Sequence, residues 1–173
     1  IRKSFLGRIW RRTGFQKRPL DQKTKQKDET ELSPEIPSLH ENELKLKNIY
    51  KEVNNFDHKQ FLDGAKKAFE IIITSFNNGD KKTLKELVSK DVYLAFEKAI
   101  NQNENNPSSQ FYSLIIDSVK DAKVENNIIF ISINFVSEQM LNNDEGKIIK
   151  NKDTWTFEKP VNSSSPKWIL TQT

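Results

Sequence analysis

Side chains that bind metals or move protons near neutrality are scarce in this 173-residue chain, which has two histidines and no cysteine. The missing cysteines exclude disulfides, thiolate metal sites and cysteine nucleophiles. Neither His40 nor His58 has a second histidine or a cysteine near it in sequence, so both read as solvated surface histidines. No GxSxG, HExxH or GxxxxGK[ST] motif occurs. Asp117 and Asp121 stand four apart on a predicted strand and are expected to face the same side. A carboxylate buried in a cavity acts as a base when its pKa is raised; an exposed strand face explains the pair more simply. The expectation is no catalytic residue, no metal and no cofactor.

The residues that could bind are apolar. Phe61, Phe69, Ile72 and Phe76 fall at helical spacing, Phe96 on a later helix, and Ile131, Ile133, Phe135 and Trp155 on alternating strands. Ordinary core packing is the simpler reading of these rings. The sharper one is an apolar pocket between the long helix and the sheet, taking an acyl chain or an apolar partner side chain and catalysing nothing. The three tryptophans could line a site, but Trp155 and Trp168, at sheet-facing positions, are expected in the core.

Helices must position the first group. Phe61, Ala65, Ala68, Phe69, Ile72, Ile73 and Phe76 make one apolar stripe, with Lys66, Lys67 and Glu70 on the other side. Asp57 is placed to cap this helix and Gly79 to close it. Asp80 and Ser89 are placed to cap two more, carrying Leu84, Leu87 and Val88, then Val92, Tyr93, Phe96, Ala99 and Ile100. Leu44, Leu46, Ile49, Tyr50 and Val53 predict a short helix leading in. From Gln110 the texture is β: Phe111–Val124, then a turn at Glu125-Asn126-Asn127. Strands over 128–136, 148–158 and 167–173 follow, separated by turns at 142–146 and 162–166. Short turns force antiparallel pairing, and helices followed by a meander define an α+β domain.

Charge is divided unevenly. Residues 1–27 carry +9 and the remainder −5. A nucleic-acid-binding domain would spread basic residues over its fold, so nucleic acid is not an expected partner. Residues 1–17 read as a basic juxtamembrane segment. Arg2, Lys3, Arg8, Arg11 and Arg12 suit anionic lipid, while Phe5, Trp10 and Phe15 suit the headgroup level. The alternative is a basic tail whose charge does nothing specific. Residues 18–41, with Pro19, Pro34 and Pro37 and little apolar content, read as a flexible linker. Residues 42–173 read as the folded domain. The chain opens on Ile1 rather than Met, which suggests that an upstream segment was removed.

Two stretches together resemble the Tim44-like domain family, the C-terminal domain of a mitochondrial inner-membrane import translocase subunit with alphaproteobacterial relatives. One is Phe61, Gly64, Ala65, Ala68, Phe69 and Phe76 with Gly79-Asp80, Leu84, Leu87 and Phe96. The other is Asp153-Thr154-Trp155-Thr156-Phe157-Glu158 with Pro166-Lys167-Trp168-Ile169-Leu170 and Thr173. Arg11-Arg12-Thr13-Gly14 with Arg18-Pro19 is similar to the juxtamembrane segment of bacterial members. The resemblance implies a cone of the nuclear transport factor two-like kind, with N-terminal helices packed on a curved four-stranded antiparallel sheet. It implies a non-enzymatic scaffold that binds an anionic membrane surface and a protein partner of translocase or chaperone type. The implied place is the cytoplasmic face of a bacterial inner membrane, tethered by a segment upstream of Ile1, or the matrix side of the mitochondrial inner membrane. Alternatives from other classes are an enzyme of isomerase or dehydratase type using the pocket of this fold, and a ribosome-associated membrane insertion factor. Oligomeric state is left open.

Overall fold

Asp57, Gly79, Asp80 and Ser89 set the helix boundaries. In the computed structural model, which describes residues 35–142 and 144–173, a 3-10 turn over Glu41–Leu46 runs into a short helix α1, Lys47–Tyr50. The Asp57 carboxylate then accepts the Lys59 and Gln60 N–H groups at 3.0 and 3.1 Å, starting α2, His58–Asn78. Gly79 closes α2 at φ 70°, the left-handed conformation a side chain would strain. Asp80 accepts the Thr83 N–H at 3.1 Å and opens α3, Lys81–Leu87. Ser89 accepts the Val92 N–H at 3.3 Å and opens α4, Lys90–Asn101.

Four strands follow: β1, Gln110–Glu125; β2, Ile128–Met140; β3, Ile148–Pro160; and β4, Ile169–Gln172. They pair antiparallel in sequence order, so the α+β meander is as expected. Asn126 and Asn127 make the β1–β2 hairpin with both φ angles positive, at 51° and 59°. Such a two-residue turn matches strand twist, and Asn tolerates it best after Gly.

β1 departs from simple alternation. Its register shifts at Tyr112, Asp117 and Lys120, each left without a direct partner on β2. Bulges bend a strand and free its backbone groups. The freed carbonyls of Asp117 and Lys120 are taken by Asn42 Nδ2 at 3.0 Å and Lys45 Nζ at 2.6 Å. Asn48 Nδ2 takes the Ala122 carbonyl at 3.2 Å. The segment before α2 is thereby fastened along the edge of β1. The two shifts between Asp117 and Asp121 also break the expected pairing of those carboxylates. Asp121 stands opposite Ser132 on the outer face, Asp117 sits in a bulge, and both are exposed.

The core lies between α2 and the inner face of β2 and β3. Phe69 is fully buried, with its ring centroid 4.2 Å from Trp155 and 4.5 Å from Phe135. Ile129, Ile131, Ile133 and Phe135 of β2 share that face with Trp155 and Phe157 of β3. Residues Ile36–Thr173 fold as one unit, with Leu39 packed against its core. Residues 1–34 and Asn143 lie outside the described residues. So do the expected membrane-contacting side chains Arg2, Lys3, Phe5, Arg8, Trp10, Arg11, Arg12 and Phe15, and most of the expected linker.

Candidate functional site

The nine apolar residues expected around a pocket are brought together, but as packing. Phe61, Phe69, Ile72, Ile131, Ile133, Phe135 and Trp155 are all buried in the one core. The Phe69 ring occupies the space between α2 and the sheet where the pocket was expected. Phe76 and Phe96 pair farther along α2, centroids 5.3 Å apart and each partly buried.

Open space lies instead at the N-terminal end of α2. A cleft of about 550 Å³ separates the helix from the β3–β4 connection. Three rings form its floor: Phe61 and Trp168 lie 4.6 Å apart, Phe56 and Phe61 6.1 Å, and Phe56 and Trp168 6.4 Å. The Lys159 ammonium stands 5.8 Å from the centroid of the Trp168 ring, within cation–π reach. Trp168, expected in the core, is only partly buried and belongs to this groove.

Gly64 lines the wall of the groove. It sits inside α2, where glycine costs about 1 kcal/mol relative to alanine. A Cβ built there would meet nothing within 4 Å. No neighbour within the folded unit requires the missing side chain, and the position is exposed. A lone glycine in a helical pattern is a sequence signal that could have pointed to this place. Phe56 gave none, because it precedes the helix and belongs to no periodic pattern. Asp57 and Asp63 on the same side are exposed, and Asp57 is engaged in capping. The groove therefore offers rings, backbone access and charges of both signs.

Polar groups away from the groove hold structure. His58, expected on the surface, is buried. Its N–H donates to the Tyr50 hydroxyl at 2.9 Å, and its Nδ1 lies 2.7 Å from the same oxygen. The imidazole Nε2 stands 3.9 Å from Glu43 Oε2. Burial pushes the Tyr50 phenol above its ordinary range, against the opposing effect of the His58 N–H. His40 is exposed. On the outer sheet face Asn134 bridges Ser118 and Thr154 at 2.9 and 2.7 Å, and Ser132 meets Thr156 at 2.7 Å. Asp153 lies opposite Phe135, and burial raises its carboxyl above the usual range. Ser137 Oγ is fully buried without a partner among the described residues, and nothing in the structure explains it. Among the described residues no three His, Asp or Glu side chains are grouped to hold a metal ion.

Residues 43–173 match the family model described as the Tim44-like domain. A curated relative, "Uncharacterized protein RP434" of Rickettsia prowazekii (strain Madrid E), is 30% identical over 128 residues. That alignment covers 72% of this chain and 56% of the relative, so the chain spans about half of that protein's length. Among solved structures, the intermembrane space region of chloroplast protein ARC6 is similar at 11% identity and a TM-score of 0.40. The similarity covers 68% of this chain and 95% of that one, and is too distant to carry an argument. The family match takes in α1 to α4 and all four strands, including both stretches that carry the sequence resemblance. The chain belongs to the Tim44-like domain family.

Proposed function

We propose that the chain is a non-enzymatic, membrane-associated binding module. In this reading residues 1–17 meet an anionic membrane through Arg2, Lys3, Arg8, Arg11 and Arg12, with Phe5, Trp10 and Phe15 at the headgroup level. Residues 18–41 act as the flexible connection. The groove floored by Phe56, Phe61 and Trp168 receives a protein partner of translocase or chaperone type. Membership of the Tim44-like family itself implies a translocase-related, membrane-associated scaffold. Among the described residues no helix is long and apolar enough to cross a membrane. The proposed location is the cytoplasmic face of a bacterial inner membrane, where the positive-inside tendency would put a segment rich in Arg.

The observation that carries this reading is the partition of charge. All five arginines lie at or before Arg18, whereas Ile36–Thr173 holds 18 lysines against 19 acidic residues. Attraction to an anionic surface, on the order of 1 kcal/mol per nearby cation, is concentrated in the first segment. The groove supports binding over catalysis, because its carboxylates are exposed and it lacks a buried acid–base pair.

The test is co-sedimentation with phosphatidylcholine vesicles, with and without phosphatidylglycerol. The full chain is expected to bind only the anionic vesicles and to lose binding toward 1 M salt, where screening shortens to about 3 Å. A chain starting at Asp28 is expected to stay in solution. Equal binding by both chains would overturn the assignment of residues 1–17.

A further inference from the structure

β3 is 13 residues long, but β4 pairs only with its residues Thr156–Glu158. Its first half, from Ile148 to Asp153, pairs with β2 on one side. On the other side no strand or loop among the described residues hydrogen-bonds to its backbone. Six residues at about 3.3 Å each make an open edge of roughly 20 Å. Unpaired edges of this kind are templates for another strand.

The side chains of this edge are specific. Strand alternation puts Ile148, Lys150 and Lys152 on the outer face and Ile149, Asn151 and Asp153 on the inner one, with Asp153 beside buried Phe135. Ile148 and Ile149 are 38% and 45% exposed, although both are large and apolar. Lys150 and Lys152 are exposed and form no ion pair among the described residues. Asp153 is partly buried, and it has no hydrogen bond or ion pair among the described residues. The edge thus presents two cations on one face, and one half-desolvated anion and an isoleucine on the other.

We propose that the free edge of β3 binds an extended polypeptide segment as an added strand, carrying acidic residues toward Lys150 and Lys152 and a cation toward Asp153. Directly opposed side chains of adjacent strands share a face and contribute roughly 0.2–1 kcal/mol each when oppositely charged. A cation from the partner would neutralise the carboxylate that burial leaves uncompensated, and an apolar residue would cover Ile149. A second copy of this chain fits worse. Twofold antiparallel pairing sets same-face residues opposite each other, so along this edge it centres on Lys150 or on Asn151; the first sets Lys150 opposite its own counterpart, and the second sets it opposite Lys152 of the other copy. This surface is separate from the groove beside Trp168, and its occupation does not depend on the groove being filled.

The test uses the full chain and the synthetic peptide Arg-Glu-Thr-Glu-Val, written to run antiparallel to Asp153–Ile149. Binding is followed by amide NMR shifts. The expected result is saturable binding with shifts centred on residues 148–154. Lys150→Glu with Lys152→Glu is expected to weaken it about tenfold. That variant should in turn favour a peptide with Lys in place of both Glu residues. Asp153→Asn should weaken binding of the Arg peptide without unfolding the domain. The proposal is overturned by no binding of the first peptide, by equal affinity for both peptides, or by shifts that fall outside β3. Concentration-dependent dimerisation that protects the same amides would assign the edge to a second copy and equally overturn it.

Discussion

Phe69→Ala removes a ring enclosed by Phe111, Phe135 and Trp155. Truncating a buried Phe costs about 3–5 kcal/mol, a large part of a domain's stability. Urea denaturation of the variant is expected to show that loss; an unchanged midpoint would mean the ring is not enclosed. Asp153 gives a pH-dependent case. Burial raises its pKa in the folded state above the ordinary 3.8, so the charged form opposes folding at neutral pH. As pH falls through the raised value toward 3.8 the carboxyl protonates and that opposition disappears. Asp153→Asn should therefore melt higher than the parent at neutral pH, with the difference closing in acid. A difference that widens in acid would mean that Asp153 has an ion-pair partner. Phe69 was legible in the sequence because helical periodicity marks burial. The environment of Asp153 was not legible, because it depends on where β4 stops pairing.

At the scale of elements, local chemistry was readable and register was not. Asp57, Gly79, Asp80 and Ser89 act at the helix ends where their side-chain and backbone preferences place them. The Asn126-Asn127 hairpin was equally plain. The bulges of β1 left no such trace. They persist because Asn42 and Lys45, each 75 residues upstream, take the freed carbonyls, and no local pattern reports a contact of that span. His58 was misread for the same reason: its partners Tyr50 and Glu43 come from the segment before α2. Tyr50→Phe would leave the His58 N–H and Nδ1 unpaired in a buried place. The expected cost is about 1–3 kcal/mol, the usual penalty for an unsatisfied buried group. Thermal melting checks it, and a neutral result would mean that water reaches His58.

For the whole molecule, the α+β order and the family were readable because two motif stretches frame one domain. The groove was not, since its lining comes from two stretches far apart in the chain, residues 55–67 and 159–168, which meet only on folding. The packing inside was not legible for a related reason: alternation shows which residues face inward but not how closely they meet, and the Phe69 ring lies against Phe135 and Trp155. The proposed division of labour puts membrane contact in residues 1–17 and protein contact on the folded unit. Its three tryptophans report on this separately, with Trp10 in the basic segment, Trp155 in the core and Trp168 in the groove. The most direct measurement is the fluorine NMR spectrum of the fluorotryptophan-labelled chain, titrated with small bicelles containing phosphatidylglycerol. The Trp10 resonance should shift and broaden first, while those of Trp155 and Trp168 keep their positions. A Trp10 resonance that stays in place while that of Trp168 moves would contradict the division, putting the membrane in the groove and not at the basic segment.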